Sequence, residues 1–141
     1  MNDTVLRLVQ LKKMGYCCSQ MMMILALETQ KKTNPDLVRS IGGLCFGVYG
    51  TGEACGALTG GACLISMFAG KGTEEEISND RYISMIRELS DWFHGMADED
   101  FGGVRCDDIL RKFPDRSMCA QIVADTYEKC MAILAENGLC A

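Results

Sequence analysis

The stretch Gly52-Glu53-Ala54-Cys55-Gly56-Ala57-Leu58-Thr59-Gly60-Gly61, continued by Ala62-Cys63-Leu64-Ile65-Ser66-Met67-Phe68-Ala69-Gly70, decides how this chain folds. From Ala54 to Gly70 it runs 17 residues without a charge and carries four glycines. That length is at the short edge for spanning a bilayer, and small residues dominate it. It reads as a central helix, about Glu53 to Ala69, buried in a bundle rather than in a membrane. Gly52, Gly56 and Gly60 recur every four residues and make a smooth face. Such a face suits close helix contact or a bound cofactor, which makes Gly56 and Gly60 candidate cofactor-binding residues. Cys55 sits among side chains too small to shield its thiol.

Outward from this helix the chain reads as further helices. Asn2 to Met14 places Val5, Leu8 and Val9 on one face, with Lys12 and Lys13 near the C-terminal end and Gly15 as a stop. A joint, Tyr16-Cys17-Cys18-Ser19-Gln20, leads into a helix from about Ser19 to Lys32. Its adjacent Met21, Met22 and Met23 point to three faces and read as adaptable core rather than a soft-metal site. Asn34-Pro35 opens a helix expected to reach Cys45, weakened by Gly42 and Gly43, and Gly47 to Gly52 reads as a loop. Thr73 to Glu76 reads as a capping box that starts a fifth helix, running to about Phe93. Tyr82, Met85, Ile86, Leu89, Phe93 and Met96 form its apolar stripe, with Arg87, Asp91 and His94 on the solvent face. Ala97 to Gly103 reads as an acidic loop, Val104 to Lys112 as a short helix closed by Pro114, and Ser117 to Glu136 as the last helix. No stretch alternates with period two. The expectation is one all-α domain over residues 1–141, a bundle of six to seven helices.

Composition narrows the function. The net charge of −5, with acids spread along the chain and no basic stripe, excludes nucleic acid and anionic lipid as expected partners. The first residues, Met1-Asn2-Asp3-Thr4-Val5-Leu6-Arg7, lack the apolar core of a secretory signal, so a cytoplasmic location is expected. Nine cysteines is a high number there, and in that compartment it points to metal binding or thiol redox work. Cys18, Cys55, Cys106 and Cys119 each fall at or near an expected helix start. Unpaired N–H groups and the positive helix end favour thiolate over thiol there. Cys55 and Cys63, eight residues apart, are separated by ~12 Å along one helix, and Cys119 and Cys130 by ~16 Å, so neither pair bonds internally. The turn around Pro114 lets the helix starts at Cys106 and Cys119 fold together. Cys45, Cys63, Cys130 and Cys140 are assigned to packing or to no role.

The order and flanks of these thiols resemble the redox-active family named for its cysteine pattern, C_GCAxxG_C_C. Its Cys-Gly-Ala-x-x-Gly element is matched by Cys55-Gly56-Ala57-Leu58-Thr59-Gly60. The joint Gly15 to Gln20 matches the setting of the family's first cysteine at Cys18, with Cys17 an extra thiol that leaves either open as the first site thiol. Phe101-Gly102-Gly103-Val104-Arg105-Cys106-Asp107-Asp108-Ile109-Leu110 matches the third, and Cys119-Ala120-Gln121-Ile122-Val123 the fourth. The resemblance spans roughly Gly15 to Val123 and implies that the four thiols form one redox or metal site. Genes for such proteins often lie near transporter genes, so it also implies an unidentified redox partner, with a transporter-associated protein among the candidates.

Three mechanisms stay open for Cys18, Cys55, Cys106 and Cys119. They cycle as dithiol and disulfide with no cofactor, they hold an iron–sulfur cluster, or they ligate another metal such as structural zinc. Dispersed ligands count against the cluster, and the lack of a Cys-x-x-Cys pair against zinc. Outside redox chemistry the competing reading is a structural protein or a transporter-associated adaptor. His94 reads as an ordinary surface histidine. The glycine faces and methionines suit a helical homodimer.

Overall fold

The computed structural model describes residues 2–139 and is all-α. Seven right-handed helices follow one another: α1 (Asp3–Lys13), α2 (Cys18–Thr29), α3 (Pro35–Ile41), α4 (Gly56–Ala69), α5 (Tyr82–Phe101), α6 (Cys106–Lys112) and α7 (Cys119–Glu136). The first and third begin as their sequences dictate. Asn2 Oδ1 accepts from the Val5 N–H at 2.9 Å, and Asn34 Oδ1 accepts from the Leu37 N–H at 3.1 Å, with Pro35 at the first helical position.

The uncharged helix α4 is the centre of the bundle. It packs most extensively against α2, and its other sides meet α5 and α7. Adjacent glycines make both approaches close. A Cβ on Gly60 would lie 3.1 Å from Ser19 Cα and Met22 Cβ of α2, and one on Gly61 would lie 3.1 Å from Leu89 of α5 and Cys130 of α7. The smooth glycine face is therefore filled by α2. Helix α2 is itself sunk in the core: Met21, Met22 and Met23, on three faces, are all buried, as adaptable core should be. Leu8, Leu11, Leu64, Ile65, Leu89, Phe93, Ile133 and Leu134 complete the interior. Among the described residues no helix is long and apolar enough to cross a membrane.

Several boundaries differ from the sequence expectation, beginning with α2, which ends at Thr29 rather than Lys32. Helix α3 ends at Ile41, followed by a 3-10 turn at Gly42–Leu44 and a segment, Phe46 to Tyr49, whose φ angles are all positive. L-residues adopt that left-handed region at a cost of roughly 1–2 kcal/mol each. Phe46 is held there beneath the Arg116 guanidinium, 4.2 Å from the ring centre. Helix α4 begins at Gly56, not Glu53, because Ala54 bridges to Arg105 and its neighbours Glu53 and Cys55 bond to Cys106 and Val104 at the start of α6. Helix α5 begins at Tyr82, where the apolar stripe begins. The Thr73–Glu76 box makes only one turn, which Asn79 ties back by donating to the Ala69 carbonyl at 2.8 Å. The same helix continues to Phe101, since buried Ala97 and Phe101 extend the stripe of Phe93 at steps of four, and it stops at left-handed Gly102. His94 is exposed, as expected.

Candidate functional site

Four chain segments converge where the cysteines lie. Cys18 is the first residue of α2, Cys106 of α6 and Cys119 of α7, and Cys55 is the N-cap of α4. All four line one small cavity of about 20 Å³, together with Phe46, Gly56, Ile109, Leu110, Arg116 and Ile122. The structure thus brings together every thiol the sequence singled out. Gly56 borders the cavity because a Cβ there would lie 3.2 Å from Cys18 Cβ and 3.1 Å from the Ser19 nitrogen, so α2 and α4 meet almost backbone to backbone. Gly60, one turn further on, faces Ser19 and Met22 away from it.

Cys55 and Cys106 are joined by a device too short to show as alternation in the sequence. Ala54 and Arg105 form an isolated antiparallel bridge. The Cys55 N–H donates to the Val104 carbonyl at 2.9 Å, and the Cys106 N–H donates to the Glu53 carbonyl at 2.7 Å. Arg105 Nε donates to the Gly52 carbonyl at 3.1 Å and its guanidinium pairs with Glu53 at 3.5 Å. Gly52 has φ +76°, and a Cβ there would collide with the Asp107 carboxylate. Two helix starts are thereby pinned side by side.

Cys18 and Cys119 approach from the other side. Gln20 Oε1 accepts from the Cys17 N–H at 3.3 Å and fixes the start of α2. Lys12, at the end of α1, donates from Nζ to the Arg116 carbonyl at 3.0 Å and holds the turn before α7. The two thiols act on each other, and their interaction shifts them in opposite directions. It is the largest cause lowering Cys119, helped by the charges of Lys12 and Arg116, so Cys119 falls from the usual 9.0 to about 7. The same interaction with Cys119, then burial and the neighbouring thiols, hold Cys18 well above the usual value. Burial pushes Cys55 up to about 12 although the Ala57 and Leu58 N–H groups oppose it. Burial and Cys119 also raise Cys106, against Arg116. Helix starts favour thiolates, as the sequence suggests, but desolvation outweighs that effect at Cys55 and Cys106. One thiolate beside one protonated thiol is the arrangement that thiol–disulfide exchange uses.

The cysteines assigned to packing divide. Cys130 is buried in the core, its sulfur 3.6 Å from the Gly61 carbonyl, and burial raises it to about 12. Cys63 is half-buried beside α3, among Leu37, Ile41 and Leu44. Cys140 lies outside the described residues. Cys45 is a correction: it is placed as the disulfide partner of Cys17, with Cα atoms 5.8 Å apart and 28 residues between them in sequence. Nothing in that spacing signals the pair. Cys17 therefore faces Cys45, while Cys18 lines the cavity.

The cavity has room for about one water. Among the described residues no group of three or more His, Cys, Asp or Glu side chains is arranged to hold a metal ion.

A family model described as "Putative redox-active protein (C_GCAxxG_C_C)" matches residues 16–133. The chain belongs to this family. The match begins at the joint before Cys18 and ends within α7, so it covers all four cavity cysteines. No curated protein and no solved structure matches the chain.

Proposed function

We propose that the protein works by thiol–disulfide exchange, with Cys119 as the attacking thiolate and Cys18 as the thiol that resolves the mixed disulfide. The observation that carries this reading is that Cys18 and Cys119 line both the four-cysteine cavity and the open cleft beside it, with Cys119 lowered to about 7. Cys119 and Cys18 also line a surface cleft of about 620 Å³, so an oxidised partner can reach them. Cys119 sulfur attacks the partner's disulfide, the partner's distal sulfur leaves as thiolate, and a Cys119–partner bond forms. Cys18 then attacks Cys119, and the partner's second sulfur leaves. The protein has lost two electrons and now holds Cys18–Cys119, while the partner's disulfide has become two thiols. Cys55 and Cys106 line the closed side of the same cavity and form the reserve pair.

The partner is a protein or small-molecule disulfide in the cytoplasm, and an adjacent transporter-associated protein is one such candidate. The alternative is a thiolate-bound metal in the same four residues, or an adaptor without turnover. Mild oxidation by a disulfide reagent, followed by alkylation and peptide mass mapping, separates these readings. Exchange gives a paired loss of thiols and a Cys18–Cys119 link. Oxidation that spares both cysteines overturns the proposal.

A further inference from the structure

We infer that Cys17–Cys45 is a second redox couple that exchanges two electrons with the Cys18/Cys119 pair through the cleft they share. It rests on the dithiol reading of Cys18 and Cys119. The two couples are adjacent by construction. Cys17 and Cys18 are consecutive, so their Cα atoms are about 3.8 Å apart. Cys17 serves as the N-cap of α2 and Cys18 as its first residue. Cys17, Cys18 and Cys119 line one cleft, whereas Cys45 is fully buried beneath it. Exposure on one side only makes Cys17 the sulfur open to attack and Cys45 the leaving group. Ser19 is built to receive that leaving group. Its buried hydroxyl lies 3.1 Å from Cys45 Sγ and donates to the Ile41 carbonyl at 2.9 Å, so a turn of the hydroxyl aims its proton at a Cys45 thiolate. Phe46, directly after Cys45, borders both the cleft and the four-cysteine cavity.

The exchange balances within the chain. Cys119 thiolate attacks Cys17 Sγ: the Cys119–Cys17 bond forms, Cys17–Cys45 breaks, and Cys45 leaves as thiolate. The proton that Cys18 gives up is the one Cys45 takes, delivered to the buried sulfur by the Ser19 hydroxyl beside it. Cys18 thiolate attacks Cys119 Sγ, Cys18–Cys119 forms, and Cys17 leaves as thiolate. One disulfide is consumed and one made, and Cys17 and Cys45 gain the two electrons that Cys18 and Cys119 lose. The reverse runs through the same mixed disulfide.

The test traps that intermediate. In a Cys18→Ser/Cys45→Ser variant, Cys17 and Cys119 keep no other exchange partner on the route. Oxidation with oxidised glutathione, followed by alkylation and peptide mass mapping, is expected to give an intramolecular Cys17–Cys119 link as the main product. Glutathione adducts on both cysteines without that link would overturn the inference. Wild-type protein supplies a second readout that needs no variant. Prepared with Cys17–Cys45 oxidised and the other thiols reduced, then held without oxidant, it is expected to gain Cys18–Cys119 as Cys17–Cys45 is lost in equal amount. Loss of neither bond, or growth of one without loss of the other, would overturn it. A Cys17→Ser/Cys45→Ser variant distinguishes the two levels. Forming Cys18–Cys119 with the same oxidant upholds the dithiol reading even where the trap fails, and failing to form it overturns both.

Discussion

Replacing Cys18 with alanine removes the largest influence that lowers Cys119. In the native protein Cys119 stands at about 7 instead of the usual 9.0, so at pH 7 half of it is thiolate, against about one part in a hundred for an unperturbed thiol. A full return to the usual value would cut the thiolate population about 50-fold. A thiolate of higher pKa is also a better nucleophile, by about eightfold over that interval at a Brønsted slope near 0.45. The net loss in alkylation rate at pH 7 is therefore at most about sixfold, and less where Lys12 and Arg116 keep part of the effect. The sign is fixed by the direction of the shift: labelling of wild-type Cys119 rises as pH climbs through 7 and levels off above it. In Cys18→Ala the same rise moves toward pH 9, while Cys18→Ser, which keeps a hydroxyl donor, falls between. The assay is limiting iodoacetamide from pH 5.5 to 10, with each cysteine read by peptide mass spectrometry. Wild-type Cys119 titrating near pH 9, or an unchanged profile in Cys18→Ala, would refute the reasoning.

Other perturbations have defined outcomes. Lys12→Ala should move the Cys119 labelling rise to higher pH, because it removes a positive charge and the bond to the Arg116 carbonyl, and the same alkylation profile reads it. Cys55, at about 12, should stay unlabelled across the range in folded protein and react once urea unfolds the chain. Gly60→Ala should cost about 1–3 kcal/mol in urea denaturation, since its Cβ meets Ser19 Cα and Met22 Cβ at 3.1 Å, whereas Gly43→Ala, with nothing within 4 Å, should change stability little. Leu64→Ala in the core of α4 should cost about 2–5 kcal/mol in the same measurement.

Much of this site was legible because helix starts announce themselves. Cysteines next to caps and stops, as at Gly15 to Ser19 and Pro114 to Cys119, could be placed at N-termini from local signals. Their convergence could not be derived that way. It depends on the Ala54–Arg105 bridge, which spans 51 positions of sequence yet involves too few residues to leave a periodic trace. The Cys17–Cys45 pair was hidden for a similar reason, since 28 residues separate the two cysteines and no periodic pattern links them. The capping box at Thr73 misled because Ile77 is 91% exposed and no apolar stripe supports a helix before Tyr82. Tertiary burial, not the cap, decides where α5 starts. The acidic run from Ala97 misled in the opposite direction, since only Ala97 and Phe101 face the core and their spacing is easily lost among the acids.

The central claim is that Cys18, Cys55, Cys106 and Cys119 work as bare thiols in one small cavity. Metal, acid-labile sulfide and thiol analysis of anaerobically purified protein tests it most directly. The account predicts colourless protein without stoichiometric iron, zinc or sulfide, whose four cavity thiols all titrate after unfolding without a chelator. Brown protein with iron and sulfide in fixed ratio to the chain, or zinc whose release frees those four thiols, would contradict it.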